Sequence, residues 1–334
     1  MKPNRPAQGG AGGQRGKRTS GTGRTRTGSQ STPPRSGGSG GSTGRSGSGS
    51  GTGRGGGSQQ FSSRGAGRTG RIAAPGERPR ATVEKTLGGE QVEGRQAVRE
   101  LLIAGNRKVH EIWVSGELID SEPLADIVEI ARSMRVQVSE VARKRLESQA
   151  RSEAPQGVIA FAAEVPEADF GEMLRGTKNV RPFLVAVDGV TDPGNLGALL
   201  RCCDGAGVTG VVLPKHRTVH VTPTVAKAAA GAVEHVPMAL VSGLPTAINQ
   251  MKSKGIWVVG LDDGGRDSLF DIGKLANEGI CVVLGAEGSG LSRLVKDRCD
   301  TVVNIPMLGQ VSSLNVSAAA ALATYEVARV RLQK

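Results

Sequence analysis

Three loops in this sequence carry residue types suited to small-molecule chemistry. The first is Asp192-Pro193-Gly194-Asn195-Leu196-Gly197, with Arg201 six residues beyond Asn195. A guanidinium fixed near the ligand edge of a sheet is well suited to a phosphate, because its planar fork presents several N–H donors at once. The second is Gly285-Ala286-Glu287-Gly288-Ser289-Gly290, whose glycines let a ligand approach the backbone closely. It is neither a dinucleotide fingerprint nor a P-loop, since no Gly-Lys-Ser/Thr follows. The third is Ser312-Ser313-Leu314-Asn315-Val316-Ser317, ahead of an alanine-rich helix. Each also has a plain alternative. Asn195 is placed to cap a helix, Glu287 to sit solvated in a tight turn, and Asn315 and the serines to cap in their turn. A Leu held among capping residues is unlike most caps, so the third loop is the most specific.

The elements that position these loops follow from apolar patterning. Phe183–Val187 and Cys281–Leu284 are continuous apolar runs, which predicts strands buried on both faces. Further strands are predicted at 208–213, 236–241, 256–261 and 301–305. Helices are predicted at 195–206, at 223–232 with Pro223 in the first position, at 244–252 and at 316–331. Alternation of this kind indicates a parallel α/β sheet covered by helices on both faces, and such sheets bind ligands outside the carboxyl ends of their strands. Upstream, residues 87–165 read as a smaller α/β unit. It has helices at 95–104, 123–134 and 141–146 and strands at 109–114, 136–138 and 158–162. Residues 166–180 read as a linker, and 181–334 as the second domain.

The formal charge of +12 is unevenly placed. Residues 1–80 hold 15 Lys and Arg against one acid, Glu77, whereas 81–334 hold 28 basic and 30 acidic groups. The same 80 residues carry 24 of the 50 glycines and few large apolar side chains, Phe61 being one. Such a chain cannot bury enough surface to offset its entropy, so residues 1–86 are expected to be a disordered basic tail. Its Arg-Gly units suit salt-sensitive contact with nucleic acid, and a solubilising extension is the simpler alternative. There is neither an apolar run of membrane-spanning length nor a signal-peptide pattern, which predicts a soluble, cytoplasmic protein. Cys202, Cys203, Cys281 and Cys299 lack CxxC spacing and are expected to be reduced structural thiols. His110, His216, His220 and His235 form no metal-ligand pattern, so no metal is expected.

Taken together, Asn195 with Arg201, then Gly285-x-Glu287-Gly288, then Ser313-Leu314-Asn315 resemble the three motifs of the SpoU (TrmH-like) family of RNA 2′-O-ribose methyltransferases, in the SPOUT superfamily. The likeness covers about 181–331. The segment 89–163, opening with Val92-Glu93-Gly94-Arg95-Gln96-Ala97-Val98 and closing with Gln156-Gly157-Val158, is similar to the RNA-binding domain of the family's rRNA-modifying branch. The resemblance implies a deep trefoil knot near the C-terminus and a homodimer with the site near its interface. It also implies S-adenosylmethionine as methyl donor, with Gly285, Ile305, Leu314 and Met307 at the cofactor. Asn195, Arg201, Glu287, Ser313 and Asn315 fall on the family's active-site positions. The implied substrate is RNA, a guanosine of 23S rRNA before a tRNA or the rRNA target of an antibiotic-resistance enzyme.

Methyl transfer to a ribose hydroxyl needs alignment, help with deprotonation and a held donor. Arg resists deprotonation, so Arg201 is expected to anchor RNA phosphate and support the forming alkoxide. Asn195, Ser313 and Asn315 are expected to orient the ribose and Arg201, and Glu287 to fix Asn195 or Arg201. A dehydrogenase would need GxGxxG after Val187, where the sequence reads DGVTDPGNLG instead. A non-catalytic RNA-binding protein would keep the tail and first domain without needing the three loops.

Overall fold

A computed structural model describes residues 86–333, so the expectation of a disordered tail lies outside the described residues, Thr86 apart. The first unit runs β1 (Gln91–Glu93), α1 (Arg95–Ala104), β2 (Val109–Ser115), α2 (Glu122–Ser133), β3 (Gln137–Val141), α3 (Arg143–Gln149) and β4 (Val158–Ala162). Its sheet has the order β1-β4-β2-β3, with β2 and β3 parallel and the other pairs antiparallel. The short helix α4 (Phe170–Arg175) follows, capped by the Asp169 side chain.

The second part continues β5 (Phe183–Asp188), α5 (Pro193–Gly205), β6 (Gly210–Pro214), α6 (Pro223–Ala229), β7 (Met238–Val241), α7 (Leu244–Ser253), β8 (Trp257–Leu261), β9 (Asp267–Ser268), α8 (Gly273–Ala276), β10 (Ile280–Gly285), α9 (Arg293–Lys296), β11 (Thr301–Asn304) and α10 (Val316–Leu332). Its seven strands lie in the order β7-β6-β5-β10-β8-β11-β9, and all pair in parallel. Alternate strand residues face opposite layers. Val185, Val187, Val282 and Leu284 pack in one core with residues of α5, α6 and α10. Leu184, Ala186, Cys281 and Val283 pack in another with residues of α7 and α9. The fold class expected from the sequence, a parallel sheet with helices on both faces behind a small α/β unit, is the one observed.

Several boundaries differ from the expectation for local reasons. The helix expected over 223–232 stops at Ala229, because Ala230 and Gly231 both turn into the left-handed region. A Cβ on Gly231 would lie 2.3 Å from the Glu100 side chain of α1, so glycine permits the close approach there. The strand and helix expected at 136–138 and 141–146 lie further along, at β3 and α3. The two parts meet in a buried seam. Arg107 donates from Nε (2.9 Å) and Nη2 (2.6 Å) to the Glu234 carboxylate, with both side chains at most 3% exposed. Arg107 Nη1 also donates to the carbonyls of Gly89 and Ala163, each at 2.6 Å, so four of the five guanidinium N–H groups are hydrogen-bonded and the buried charge is compensated.

Candidate active site

The carboxyl ends of β8 and β10 and the segment from β11 to α10 enclose a cavity of about 190 Å³. Leu261, Leu284, Gly285, Ile305, Met307, Leu314 and Val316 give it an apolar wall, and Asp262, Asp263, Glu287, Ser289, Ser312 and Ser313 supply polar atoms. The four residues expected at a cofactor, Gly285, Ile305, Met307 and Leu314, therefore share one cavity with Glu287 and Ser313.

Two carboxylates clamp the loop after β10. Asp188, the last residue of β5, accepts from Ser292 N at 2.8 Å. Asp262, just after β8, accepts from Leu291 N (3.1 Å), Gly264 N (3.0 Å) and Lys296 Nζ (2.5 Å). Burial pushes the Asp262 carboxyl up, but the Lys296 bond and the two backbone N–H bonds outweigh it and hold it below its usual range. Within the loop, Ala286 and Gly290 exchange backbone hydrogen bonds of 3.1 and 3.0 Å. A Cβ on Gly285 would lie 2.3–2.5 Å from the backbone of Gly290 and Leu291, so only glycine lets the loop close on itself.

The three loops meet on one carboxylate oxygen. Glu287 Oε1 accepts from Asn195 Nδ2 at 2.7 Å and from Asn315 Nδ2 at 2.8 Å, and Asn315 Nδ2 also donates to Asn195 Oδ1 at 2.8 Å. Asn315 is at once a cap and a member of this cluster, because its Oδ1 accepts from Ser317 N (2.9 Å) and Ser317 Oγ (2.5 Å). Those two donors fix which way the amide faces and turn its NH₂ towards Glu287. Ser317 belongs to the third loop read from the sequence, without its bond to Asn315, whose signal is the Asn-x-Ser spacing at a helix start. Asn195, by contrast, is not the cap of α5. Asp192 is, accepting from Asn195 N at 2.7 Å with Pro193 in the first turn, and this frees the Asn195 amide to reach Glu287. The carboxylate ties Asn195 and Asn315, with no bond to Arg201 among the described residues.

Arg201 stands apart from the cluster. It lies roughly 9 Å along α5 from Asn195, at 1.5 Å per residue. It is exposed, because Leu200 and Cys203 take the buried face of the helix. Ser313 is exposed at the cavity wall. The cysteines are free thiols. Burial raises all four: Cys203 and Cys281 far up, Cys299 to about 12, and Cys202 less, with Arg201 pulling it back. None has the lowered pKa of an activated nucleophile. Among the described residues no group of His, Cys, Asp or Glu is arranged to hold a metal.

Residues 182–325 match the model of the SpoU rRNA methylase family, and 91–168 match that of the RNA 2′-O ribose methyltransferase substrate-binding domain. A Bacillus subtilis relative named as a TrmH family tRNA/rRNA methyltransferase, YacO, is 38% identical over 244 residues, 72% of this chain and 96% of the relative. The chain belongs to the SpoU, or TrmH, family of RNA methyltransferases. Among solved structures it is similar to the SpoU methyltransferase AviRb of Streptomyces viridochromogenes in complex with AdoMet, with a TM-score of 0.61 and 26% identity over 72% of this chain and 90% of that one. A structure described as an RNA 2′-O ribose methyltransferase aligns with a TM-score of 0.59 and 26% identity over 72% of this chain and 88% of that one.

As in the rest of the SpoU family, the methyl donor is S-adenosylmethionine. The cavity fits it chemically. An apolar wall suits the adenine and thioether portions, backbone-lined loops suit hydroxyl and amino groups, and Asp262, Asp263 and Glu287 complement a cationic ligand. Gly285, Ile305, Met307 and Leu314 line this cavity and could hold it.

Proposed function

We propose that this chain methylates the ribose 2′-hydroxyl of RNA, at a guanosine of 23S rRNA. One observation carries the reading: Asn195, Glu287 and Asn315, from loops far apart in sequence, are hydrogen-bonded to one another beside the cavity that suits the donor. Bound S-adenosylmethionine supplies an electrophilic methyl on a sulfonium. That methyl would pass in line to the ribose oxygen with the thioether as leaving group, and the hydroxyl proton would pass to solvent. The chain's task is therefore alignment and electrostatic support. Glu287 holds both asparagine amides, and Asn195 keeps one N–H available to orient the ribose. Ser313 offers a hydroxyl at the cavity wall. Arg201 remains protonated and anchors a phosphate next to the target nucleotide. The small first unit, residues 87–165, supplies the remaining RNA contact, and the similarity of 91–168 to a substrate-binding domain supports this.

The same reading has the chain act as a cytoplasmic homodimer. Among the described helices none is long and apolar enough to cross a membrane. Leu322 and Tyr325 on α10, and Leu308 and Val311 in the preceding loop, are exposed apolar residues that a second copy would cover. The strand order supports the knotted threading, since the chain leaves β11 near one side of the sheet and returns as α10 against α5 and β10. Mapping 2′-O-methylation across rRNA and tRNA from cells with and without the gene tests the target. Loss of one 23S rRNA guanosine methylation is expected. Loss confined to tRNA would move the target there, and no change in either RNA would overturn the reading.

A further inference from the structure

The loop after β6 carries a basic tip that the site as described does not use. Lys215, His216 and Arg217 are consecutive, with His216 and Arg217 exposed and Lys215 half-buried. The ion pairs among the described residues involve neither Lys215 nor Arg217. The sheet places this tip close to the site. β6 pairs in parallel with β5, and β5 with β10, so their following loops leave the same edge. At about 4.8 Å per strand, the loop starts one spacing from the end of β5 and two, roughly 10 Å, from Gly285.

Three features hold the loop in place. Val219 N donates to Val190 O at 3.1 Å, tying it to the segment that leads into the Asp192 cap and Asn195. The His220 ring nitrogens lie 2.9 Å from Thr86 O and 3.4 Å from Pro214 O, clamping its base. Val221 N donates to Leu87 O at 2.9 Å. Arg217 sits at φ 63°, a left-handed conformation that residues other than glycine rarely adopt. Backbone strain of this kind persists where surrounding structure imposes it, and it concentrates at functional positions. The buried Thr218 hydroxyl beside it has no partner.

We propose that Lys215 and Arg217 bind the phosphate backbone of the RNA substrate next to the target nucleotide, and so set its register over the cavity. The proposal rests on RNA being the substrate. Two cations on a held turn, with no apolar residue between them, suit a polyanion better than an apolar protein surface. Contacts of this kind position a nucleic acid without reading its sequence.

The test compares the full-length wild type with the double variants Lys215→Ala/Arg217→Ala and Lys215→Glu/Arg217→Glu. The probes are unmodified in vitro transcripts of bacterial 23S rRNA and tRNA, with S-adenosylmethionine affinity measured separately by calorimetry. The alanine variant is expected to raise KM for the methylated transcript by roughly tenfold at unchanged kcat and cofactor affinity. Its plot of log affinity against log salt should flatten by about 0.7 per lost contact on a single strand. The charge-reversed variant should go further in the same direction. Unchanged KM and salt slope in both variants would overturn the proposal and leave the tip to an acidic protein partner. A parallel loss of cofactor affinity would overturn it in favour of a structural role. If the wild type methylated neither transcript, the methylation reading would fail, while the salt slope of binding would still decide the role of the loop.

Discussion

Glu287 is the residue on which the site depends, because one of its oxygens accepts from two asparagine amides. Glu287→Gln keeps the shape but can place an NH₂ against two other NH₂ groups. The expected result is a loss of at least about 10²-fold in kcat with cofactor affinity retained, measured by single-turnover methylation and calorimetry. Ser317→Ala removes the Oγ donor that orients Asn315 and should lower kcat more than it changes KM, with Ser317→Thr restoring most of the loss. Arg201→Ala is expected to lose at least about 10²-fold in rate, and near-normal turnover would remove Arg201 from the mechanism. The residue types of the three loops were legible in the sequence, and so were the apolar residues now found around one cavity. Which side chains bond which was not. Asn195 had a cap as its plain reading, although Asp192 followed by Pro193 is the stronger cap signature. Ser317 stands in the third loop, but its bonds to Asn315 Oδ1 appear only once the chain is folded.

At the scale of elements, the clamp on the β10 loop is a charged one. Because the Asp262 carboxyl is held below its ordinary value of 3.8, its stabilising contribution is fully present above that pH. It is lost as pH falls below 3.8 and through the lower folded-state value. Lys296→Met should therefore weaken cofactor binding at neutral pH, and it should reduce the acid sensitivity of the fold below pH 3.8. Calorimetry and acid-unfolding curves check the two halves. The long apolar strands and amphipathic helices were legible because burial alternates with the pattern their residues set. β1 was missed for a physical reason. Its Gln91 and Glu93 are polar yet buried, Gln91 Nε2 donating to Glu93 Oε1 at 2.8 Å, and Glu93 also accepts from Arg151 N and Ser152 N. No hydropathy pattern signals a strand stabilised in that way. β9 and α9 were missed because two and four residues hold no periodicity.

On the scale of the molecule, the two units are joined by a buried ion pair that composition could not reveal. Arg107 and Glu234 stand 127 residues apart, and no local pattern pairs them. Truncating one member leaves the other charged and buried, so Arg107→Ala should cost about 3–5 kcal/mol of stability in urea titrations. Replacing both with apolar residues of similar volume should cost much less. The strand order was equally hidden, because β10 enters between β5 and β8 through pairings that no local signal specifies. All of these long-range contacts serve one claim, that the cavity and the cluster on Glu287 form a single methyl-transfer site for RNA ribose. The most direct measurement incubates the purified full-length chain with methyl-labelled S-adenosylmethionine and unmodified rRNA and tRNA transcripts, then digests the RNA to nucleosides. The account predicts label in a 2′-O-methylated nucleoside, abolished by Glu287→Gln. Label on a nucleobase, or none with either RNA, would contradict it.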